Sequence, residues 1–274
     1  MPLDALALAL AAAFVHAAWN LLLSGSEDTR AATAVALASG AVVWAPVAAL
    51  TWRVDRSAWP YIAASGSLEL LYLVLLATAY ATAAMGFVYP ISRGSAPVLV
   101  LVAGAIGGAA SPSALSAFGV IVAALGIVLV RGLRTEHRPR DLALALTIGA
   151  LIASYTLVDK HGVTHANPLA YLQVVFSLAA IGYVAGALRV LGPRRIRAAV
   201  RPSSVLAGVG YFGSYGLTLI ALRLASAASV AAVRESSVVI AAFALAASGR
   251  EPAGRGRLAG AALVAAGVAL ISLG

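Results

Sequence analysis

The sequence contains no cysteine and few charged residues. Because cysteine is absent from all 274 residues, disulfides, thiolate nucleophiles and cysteine-ligated metal sites are excluded. Charged residues make up only 11% of the chain and hydrophobic residues 62%, whereas a soluble domain has about a quarter of its residues charged. These polar residues are too few to cover a water-soluble surface. The sequence therefore predicts an integral membrane protein whose main solvent is lipid.

The motifs of the common catalytic sites are also missing. The sequence has no GxSxG elbow, no phosphate-binding GKS or GKT loop, no HExxH pair and no Asp-rich metal cluster. Its four histidines (His16, His137, His161 and His165) form no metal-ligand pair on one membrane helix. We therefore expect no enzyme activity, no cofactor and no metal. The net charge of +9 lies in short connectors between apolar runs, which is typical of loops beside a membrane and not of a nucleic-acid partner.

Ten apolar runs are long enough to cross a bilayer as helices. A helix of about 20 residues spans a hydrocarbon core about 30 Å thick, and runs of this length favour helices over barrel strands. The first run starts at Leu3 without a basic leader, so we expect a membrane helix there and not a signal peptide. We predict an all-α, multi-pass protein of the cell (inner) membrane. The predicted spans are 3–23, 31–52, 61–80, 86–108, 112–131, 141–159, 168–189, 203–223, 226–248 and 256–273.

The two halves of the chain resemble each other. A shift of 141 residues superimposes glycines, an arginine and a serine: Gly119 on Gly260, Gly126 on Gly267, Arg93 on Arg234 and Ser95 on Ser236. Five helices per half is an odd number, so the second half enters the membrane upside down, which is the inverted repeat of many transporters. We predict repeats at 1–134 and 141–274 around a central cavity, joined by a short basic linker at 135–140. The arginines of the later loops favour termini outside the cell, while Arg53 and Arg56 favour the opposite orientation, which stays open.

A charge at mid-bilayer is costly unless it is paired or hydrated, so each one inside a span needs a reason. Glu69 lies halfway along the third span, either as a carboxyl group that exchanges a proton or as the permanent partner of an arginine. Arg93 lies in the fourth span between Pro90 and Pro97, which remove amide donors. We expect a broken helix there that holds an anionic group, or a packing kink with Arg93 paired inside the bundle.

The ninth span carries three adjacent polar residues, Arg234, Glu235 and Ser236. Successive residues on a helix point about 100° apart. We therefore expect Arg234 and Glu235 not to pair with each other but to face different interior partners.

The first span places His16 and Asn20 four residues apart, on one helix face, with Trp19 beside them. His16 is either a proton relay or a hydrogen-bonded structural group. Tyr72 and Tyr80 are candidates for stacking on a ligand, with interfacial or core packing as the alternative. Tyr155, a further candidate, lies near the end of the sixth span. The polar end of the sixth span, at Asp159, fits either interior contacts or charges that reach the membrane surface.

Several segments together resemble the EamA-type ten-helix carriers of the drug/metabolite transporter superfamily. They are HAAWNLLL at 16–23, YPISRGSAPVLV at 89–100, SYTLVDKHGV at 154–163, VRESSVVIAAFAL at 233–245 with the following GREP, and GRLAGAALVAAGVALISLG at 256–274. The resemblance covers essentially the whole chain. It implies two inverted five-helix halves around a cavity, and secondary carriers or exchangers that often export amino acids, metabolites or drugs.

On matching positions, the resemblance implies substrate-binding or coupling roles for His16, Trp19, Asn20, Tyr89, Arg93, Ser95, Arg234, Glu235 and Ser236. Our own reading of the sequence adds Glu69, Tyr72 and Tyr155. The leading hypothesis is a secondary transporter of a small solute by alternating access, with protons as the candidate coupling ion and a monomer or homodimer as the working unit. The alternative is a non-transporting membrane subunit that scaffolds a partner or handles a lipid-linked substrate through its Arg-rich loops.

Overall fold

The computed structural model describes residues 1–82, 85–107, 113–131, 138–247 and 254–274. Within these ranges the chain folds into helices joined by short connections, and nine helical segments are long and apolar enough to cross a membrane. A shorter apolar helix at Ala114–Val130 accompanies them, so each of the ten predicted spans has an apolar helix at its position. The prediction of an all-α, multi-pass membrane protein is confirmed. The helices are α1 Leu3–Ser24, α2 Thr29–Leu50, α3 Trp59–Thr82, α4 Met85–Ile106, α5 Ala114–Arg131, α6 Pro139–Gly162, α7 Pro168–Leu191, α8 Pro193–Ala198, α9 Pro202–Leu224, α10 Ala227–Arg234, α11 Ser237–Ala247 and α12 Arg255–Leu273, with a 3-10 turn at Arg56–Ala58.

Local sequence signals fix several helix ends. The side chain of Asp28 accepts a hydrogen bond from the amide of Ala31 at the start of α2, and Asn167 caps α7 in the same way. Four helices of the second half, α6 to α9, begin with proline, which suits the first turn because its missing N–H would have no helical partner there. Gly192 has φ 80°, a backbone conformation that glycine adopts at no steric cost, and it separates α7 from α8.

The two ends of the bundle differ in charge. Both chain termini lie at one end, which we call the terminal face, where the amino group of Met1 is 3.3 Å from the carbonyl oxygen of Ile271. The opposite end, which we call the basic face, holds the α1–α2 connection (25–28) and the segment 192–201 that includes α8. The side chains of Arg194, Arg195 and Arg197 are exposed there.

The helix contacts cross between the two halves of the chain. α1 packs on α9. Under the predicted repeat their counterparts are α6 and α3, which also pack on each other. α2 also contacts α7, and α5 packs tightly along α12. A β-carbon on Gly260 would lie 2.7 Å from the carbonyl oxygen of Gly126, and one on Gly119 would lie 2.7 Å from the carbonyl oxygen of Gly267. Glycine at these positions therefore lets the α5 and α12 backbones touch, as small residues do between membrane helices.

The predicted helix break is in the wrong span. α4 continues through Pro90 and Pro97 from Met85 to Ile106, so of the two alternatives for Arg93 the broken helix is not found. The ninth span is broken instead, by a turn at Glu235 and Ser236 between α10 and α11.

The linker predicted at 135–140 falls partly outside the described residues. Its last two residues, Pro139 and Arg140, already belong to α6, and Arg138 precedes that helix as its N-cap.

Candidate solute-binding site

The ionisable side chains predicted inside the spans meet near the middle of the bundle. Glu69, Arg93, Arg234 and Glu235 are all buried. Each lies about midway along its span, in α3, α4 and the broken ninth span. A helix rises about 1.5 Å per residue, so these positions share a similar depth although they are far apart in sequence.

Glu235 joins the two halves through an ion pair. Nη1 of Arg93 lies 3.2 Å from Oε1 of Glu235, and this contact connects α4 of the first half with the turn in the ninth span. Nη1 of Arg234 lies 3.9 Å from the same oxygen. The prediction that Arg234 and Glu235 do not approach each other is therefore wrong, because the helix ends at Arg234 and its 100° spacing no longer applies.

Each buried arginine also lies over a tyrosine of the preceding span in its own half. Arg93 donates a hydrogen bond to the Tyr72 hydroxyl at 2.8 Å, and its guanidinium carbon is 6.0 Å from the Tyr72 ring centre and 5.4 Å from that of Tyr89. The Arg234 guanidinium carbon is 5.3 Å from the ring centre of Tyr215. Such distances allow cation–π attraction, so the two halves hold their arginines in the same manner.

Glu69 has a different environment from Glu235. Its Oε2 accepts a hydrogen bond from the Tyr211 hydroxyl at 3.5 Å. Among the described residues, no arginine, lysine or histidine nitrogen lies within ion-pair distance of Glu69. Of the two roles predicted for Glu69, the permanent pairing with an arginine is therefore not found.

Trp19 links the first span to the aromatic side chains of α9. Its ring meets His16 edge-on at 4.8 Å and Tyr211 at 5.0 Å, and its Nε1 donates to the Ser214 hydroxyl at 3.3 Å. Nε2 of His16 is buried and has no hydrogen-bond partner among the described residues. Asn20 donates to the His16 carbonyl oxygen of its own helix at 2.9 Å.

A narrow cavity of about 60 Å³ lies beside this cluster, on the side of the basic face. It holds only a few water molecules, since one water needs about 10–15 Å³ by the same measure. Five predicted site residues line it. The lining consists of Trp19, Asn20, Thr33, Ala36, Leu37, Tyr72, Leu73, Leu76, Tyr89, Arg93 and Tyr211.

The remaining predicted residues lie at different distances from the cavity. Tyr155 is buried between Tyr72 and Tyr215, with ring centres 5.9 and 6.0 Å away, so it connects the two arginine–tyrosine pairs. Ser236 is buried in the turn of the ninth span, and its hydroxyl has no partner among the described residues. Ser95 stands apart: its hydroxyl donates to the Ser92 carbonyl at 3.3 Å within α4 and does not reach the cluster.

Four residues outside the predicted set complete the cluster: Tyr211, Tyr215, Phe176 and Asp159. Tyr211 and Tyr215 stand four residues apart on α9, and Phe176 stacks on both at 4.7 and 5.0 Å. The Asp159 carboxyl group is fully buried and accepts hydrogen bonds from Tyr215 and, at 2.8 Å, from Tyr171. Of the alternatives for Asp159, the structure shows interior contacts. The spacing of Tyr211 and Tyr215 in YFGSYG is a sequence signal that could have indicated these two positions.

The connections at both ends of the bundle join the two halves, but by different chemistry. At the terminal face the amide of Asn167 donates to the Arg53 carbonyl at 2.7 Å and the amide of Asp55 to the His165 carbonyl at 3.0 Å. At the basic face the pair Arg195–Asp28 has an N–O distance of 2.7 Å. Under the predicted repeat the two sets of loops correspond, with backbone bonds at one end and side-chain ion pairs at the other.

Comparison with known families bears on the second half first. Residues 141–273 match the model of the EamA-like transporter family. The second half of the chain is an EamA-like transporter domain. This domain extends from α6 to α12 and contributes Tyr155, Arg234, Glu235 and Ser236 to the cluster. The resemblance to the drug/metabolite transporter superfamily is thus confirmed, and the chain is a multi-pass membrane protein with a transporter domain of this type.

The fold of the whole chain matches a known architecture. A protein of known crystal structure is 15% identical, and the match covers 100% of this chain and 98% of the other with a TM-score of 0.78. At this identity the likeness shows the fold alone, but it includes the first half together with the EamA-like domain. No curated protein sequence matches the chain.

Proposed function

We propose that the protein is a secondary transporter that moves a small solute across the cell (inner) membrane by alternating access. The observation that carries the proposal is the Arg93–Glu235 pair, which joins the two halves at mid-depth beside a cavity. Loss of one partner from a buried ion pair costs about 3–5 kcal/mol. The pair therefore opens during a cycle only if another group, such as the solute, takes the place of the lost partner. We expect an exporter or exchanger of a metabolite, an amino acid or a drug-like molecule.

The small cavity supports a mechanism with alternating conformations and not a permanent pore. It holds only a few water molecules, so a solute requires the two halves to move apart. Loops of opposite halves meet at both faces, and opening either face means breaking the contacts there. Rocking of inverted repeats around a central site is the motion that this arrangement favours.

The side chains of the cluster suggest how the solute binds. Arg93 lines the cavity and offers guanidinium N–H groups to a carboxylate or another oxyanion. Trp19, Tyr72, Tyr89 and Tyr211 offer ring faces and edges to the rest of the molecule. A site of this kind, largely apolar with few polar groups, is typical of small-molecule pockets.

We propose Glu69 as the group that exchanges a proton during the cycle, with His16 as the second candidate. Both are buried at the centre, and Glu69 forms no ion pair with a described residue. Its one described hydrogen bond comes from Tyr211, on α9 of the other half. A proton on Glu69 therefore changes a contact between the halves, as proton-coupled alternation requires.

The test is flux of radiolabelled amino acids, organic acids and cationic drugs in proteoliposomes, with and without a pH gradient. We expect Glu69→Gln to abolish the effect of the pH gradient while the protein stays folded. Asp4→Asn is the matched control, since Asp4 is an exposed carboxylate at the start of α1. Gradient-dependent flux in Glu69→Gln would remove Glu69 from the mechanism. Absence of flux for every solute class, together with a stably co-purifying protein, would favour the scaffold alternative.

A further inference from the structure

Glu235 holds the buried arginines with only one of its two oxygens. Oε1 lies 3.2 Å from Arg93 Nη1 and 3.9 Å from Arg234 Nη1. Oε2 is buried and has no hydrogen-bond partner among the described residues. Arginine binds carboxylates best through two parallel N–H···O bonds. Glu235 uses only one oxygen, so its contact with the two guanidinium groups is weaker than that of a carboxylate that binds through both oxygens.

Two buried guanidinium groups share the carboxylate of Glu235 within ion-pair distance. Glu69, in contrast, forms no ion pair with a described residue, and Asp159 is held by two tyrosines. A cation removed from water needs a counter-charge or it destabilises the fold. The two arginines can therefore bind an anion that accepts more of their hydrogen bonds than Glu235 does.

The Arg93 side chain is in contact with both the cavity and Glu235. Arg93 lines the cavity together with Tyr72 and Tyr89, while Glu235 is not part of the lining and reaches Arg93 from the turn of the ninth span. Nη1 of Arg93 is already engaged by Glu235 and Nη2 by Tyr72. An anionic group that binds both nitrogens from the cavity therefore competes with Glu235.

We propose that Glu235 is a built-in counter-anion, which neutralises the arginine pair until a carboxylate or a similar oxyanion of the solute displaces it. This inference rests on the proposed function, because it takes the cavity as the place where the solute binds. Displacement breaks the contact between α4 and the turn of the ninth span. The solute's anionic group then has a higher affinity for the conformation in which the halves are separated, which is the condition for a ligand to shift a conformational equilibrium.

Chemical rescue in detergent tests the inference without any flux measurement. Glu235→Ala removes the carboxylate, and the purified variant is melted in sodium acetate, in acetamide and in sodium chloride at equal concentrations. We expect the variant to melt below the wild type in chloride and to be stabilised by acetate but not by acetamide, its neutral analogue. The acetate concentration for half-maximal stabilisation should be about tenfold lower than in the wild type, since a bound ligand stabilises by mass action.

Two further variants keep the outcome decisive. The double variant Arg93→Gln/Glu235→Ala should lose the preference for acetate over acetamide, and Asp4→Ala should behave as the wild type. If Glu235→Ala gives no folded protein, Glu235→Asp retains the charge on a side chain one methylene shorter, and its half-maximal acetate concentration should lie below that of the wild type. Equal shifts with acetate and acetamide in Glu235→Ala, or an unchanged acetate response in Glu235→Asp, would overturn the inference.

The result is separable from that of the transport test. Acetate-specific rescue without flux of any solute would leave Glu235 as a displaceable counter-anion and remove the transport proposal. Flux with no preference for acetate over acetamide would retain transport and remove this role of Glu235.

Discussion

A disulfide across the terminal face should stop transport reversibly. Val54 and Ala166 are partners in an isolated antiparallel bridge. The two hydrogen bonds that flank them join residues 53 to 167 and 55 to 165, so the pair itself is of the non-hydrogen-bonded type. The Cα atoms of such pairs lie about 4.5 Å apart, which is within the range of about 4.4–6.8 Å found for disulfides. The double variant Val54→Cys/Ala166→Cys should therefore form a bond under mild oxidation.

The expected size of the effect follows from the two backbone hydrogen bonds between these loops. Two backbone hydrogen bonds contribute about 1 kcal/mol each, so together they disfavour opening about 30-fold, which thermal motion overcomes readily. A covalent bond removes that opening altogether. Flux in proteoliposomes should fall in proportion to the cross-linked fraction and return on reduction.

The wild-type chain contains no cysteine, so the double variant can form only one intramolecular disulfide. Each single-cysteine variant should keep its flux under oxidation and serves as the control. Undiminished flux in fully cross-linked protein would refute the idea that the halves separate at this face during transport.

Two other substitutions probe the helix contacts and the basic face. Gly260→Val places side-chain atoms against the carbonyl oxygen of Gly126 and should destabilise the protein by about 1–3 kcal/mol. The measurement is a lower melting temperature in detergent. Gly256→Val is the control, because a β-carbon there lies 3.9 Å from its nearest neighbouring atom. Arg195→Gln removes the ion pair with Asp28 and should change the free energy of closing the basic face by about 0.2–1 kcal/mol. Flux of the wild type should respond more strongly to salt between about 0.1 and 1 M than that of this variant, which retains only the Arg201–Glu27 pair between these loops among the described residues. The reason is that the Debye length shortens from about 10 to 3 Å over this range.

The sequence predicted the spans well because hydrophobic length is a strong constraint in lipid. It also predicted the buried charges of the site, since an unpaired charge in a membrane helix is costly and Arg93, Arg234, Glu235 and Glu69 stand out for that reason. All four are buried at similar depth, and their roles in binding or coupling stay predictions. The sequence did not predict the ion pair between Arg93 and Glu235, because these residues meet only through the packing of α4 against the ninth span.

The aromatic part of the site was harder to predict. Tyrosine and phenylalanine in an apolar helix are as compatible with core packing as with a binding site. Their burial has no energetic cost of the kind that marks a buried charge, so the sequence did not single out Tyr211, Tyr215 or Phe176. Their roles depend on which helices meet at the centre.

The helix break was predicted from the wrong signal. Proline at positions 90 and 97 suggested an interruption of α4, but neighbouring helices can stabilise a proline-containing membrane helix. The ninth span contains neither proline nor glycine at its turn. Its break at Glu235 lets this side chain and Arg234 approach each other, a tertiary requirement that local propensity does not show.

The contact between α5 and α12 limits how the molecule can move. At Gly119, Gly126, Gly260 and Gly267 the two backbones touch, and one helix comes from each half of the chain. If one helix slid along the other, larger side chains would have to replace the glycines at positions where only a hydrogen atom fits. The α5–α12 contact should therefore stay fixed while the two halves rotate about it. The largest displacements are expected in the helices farthest from this contact.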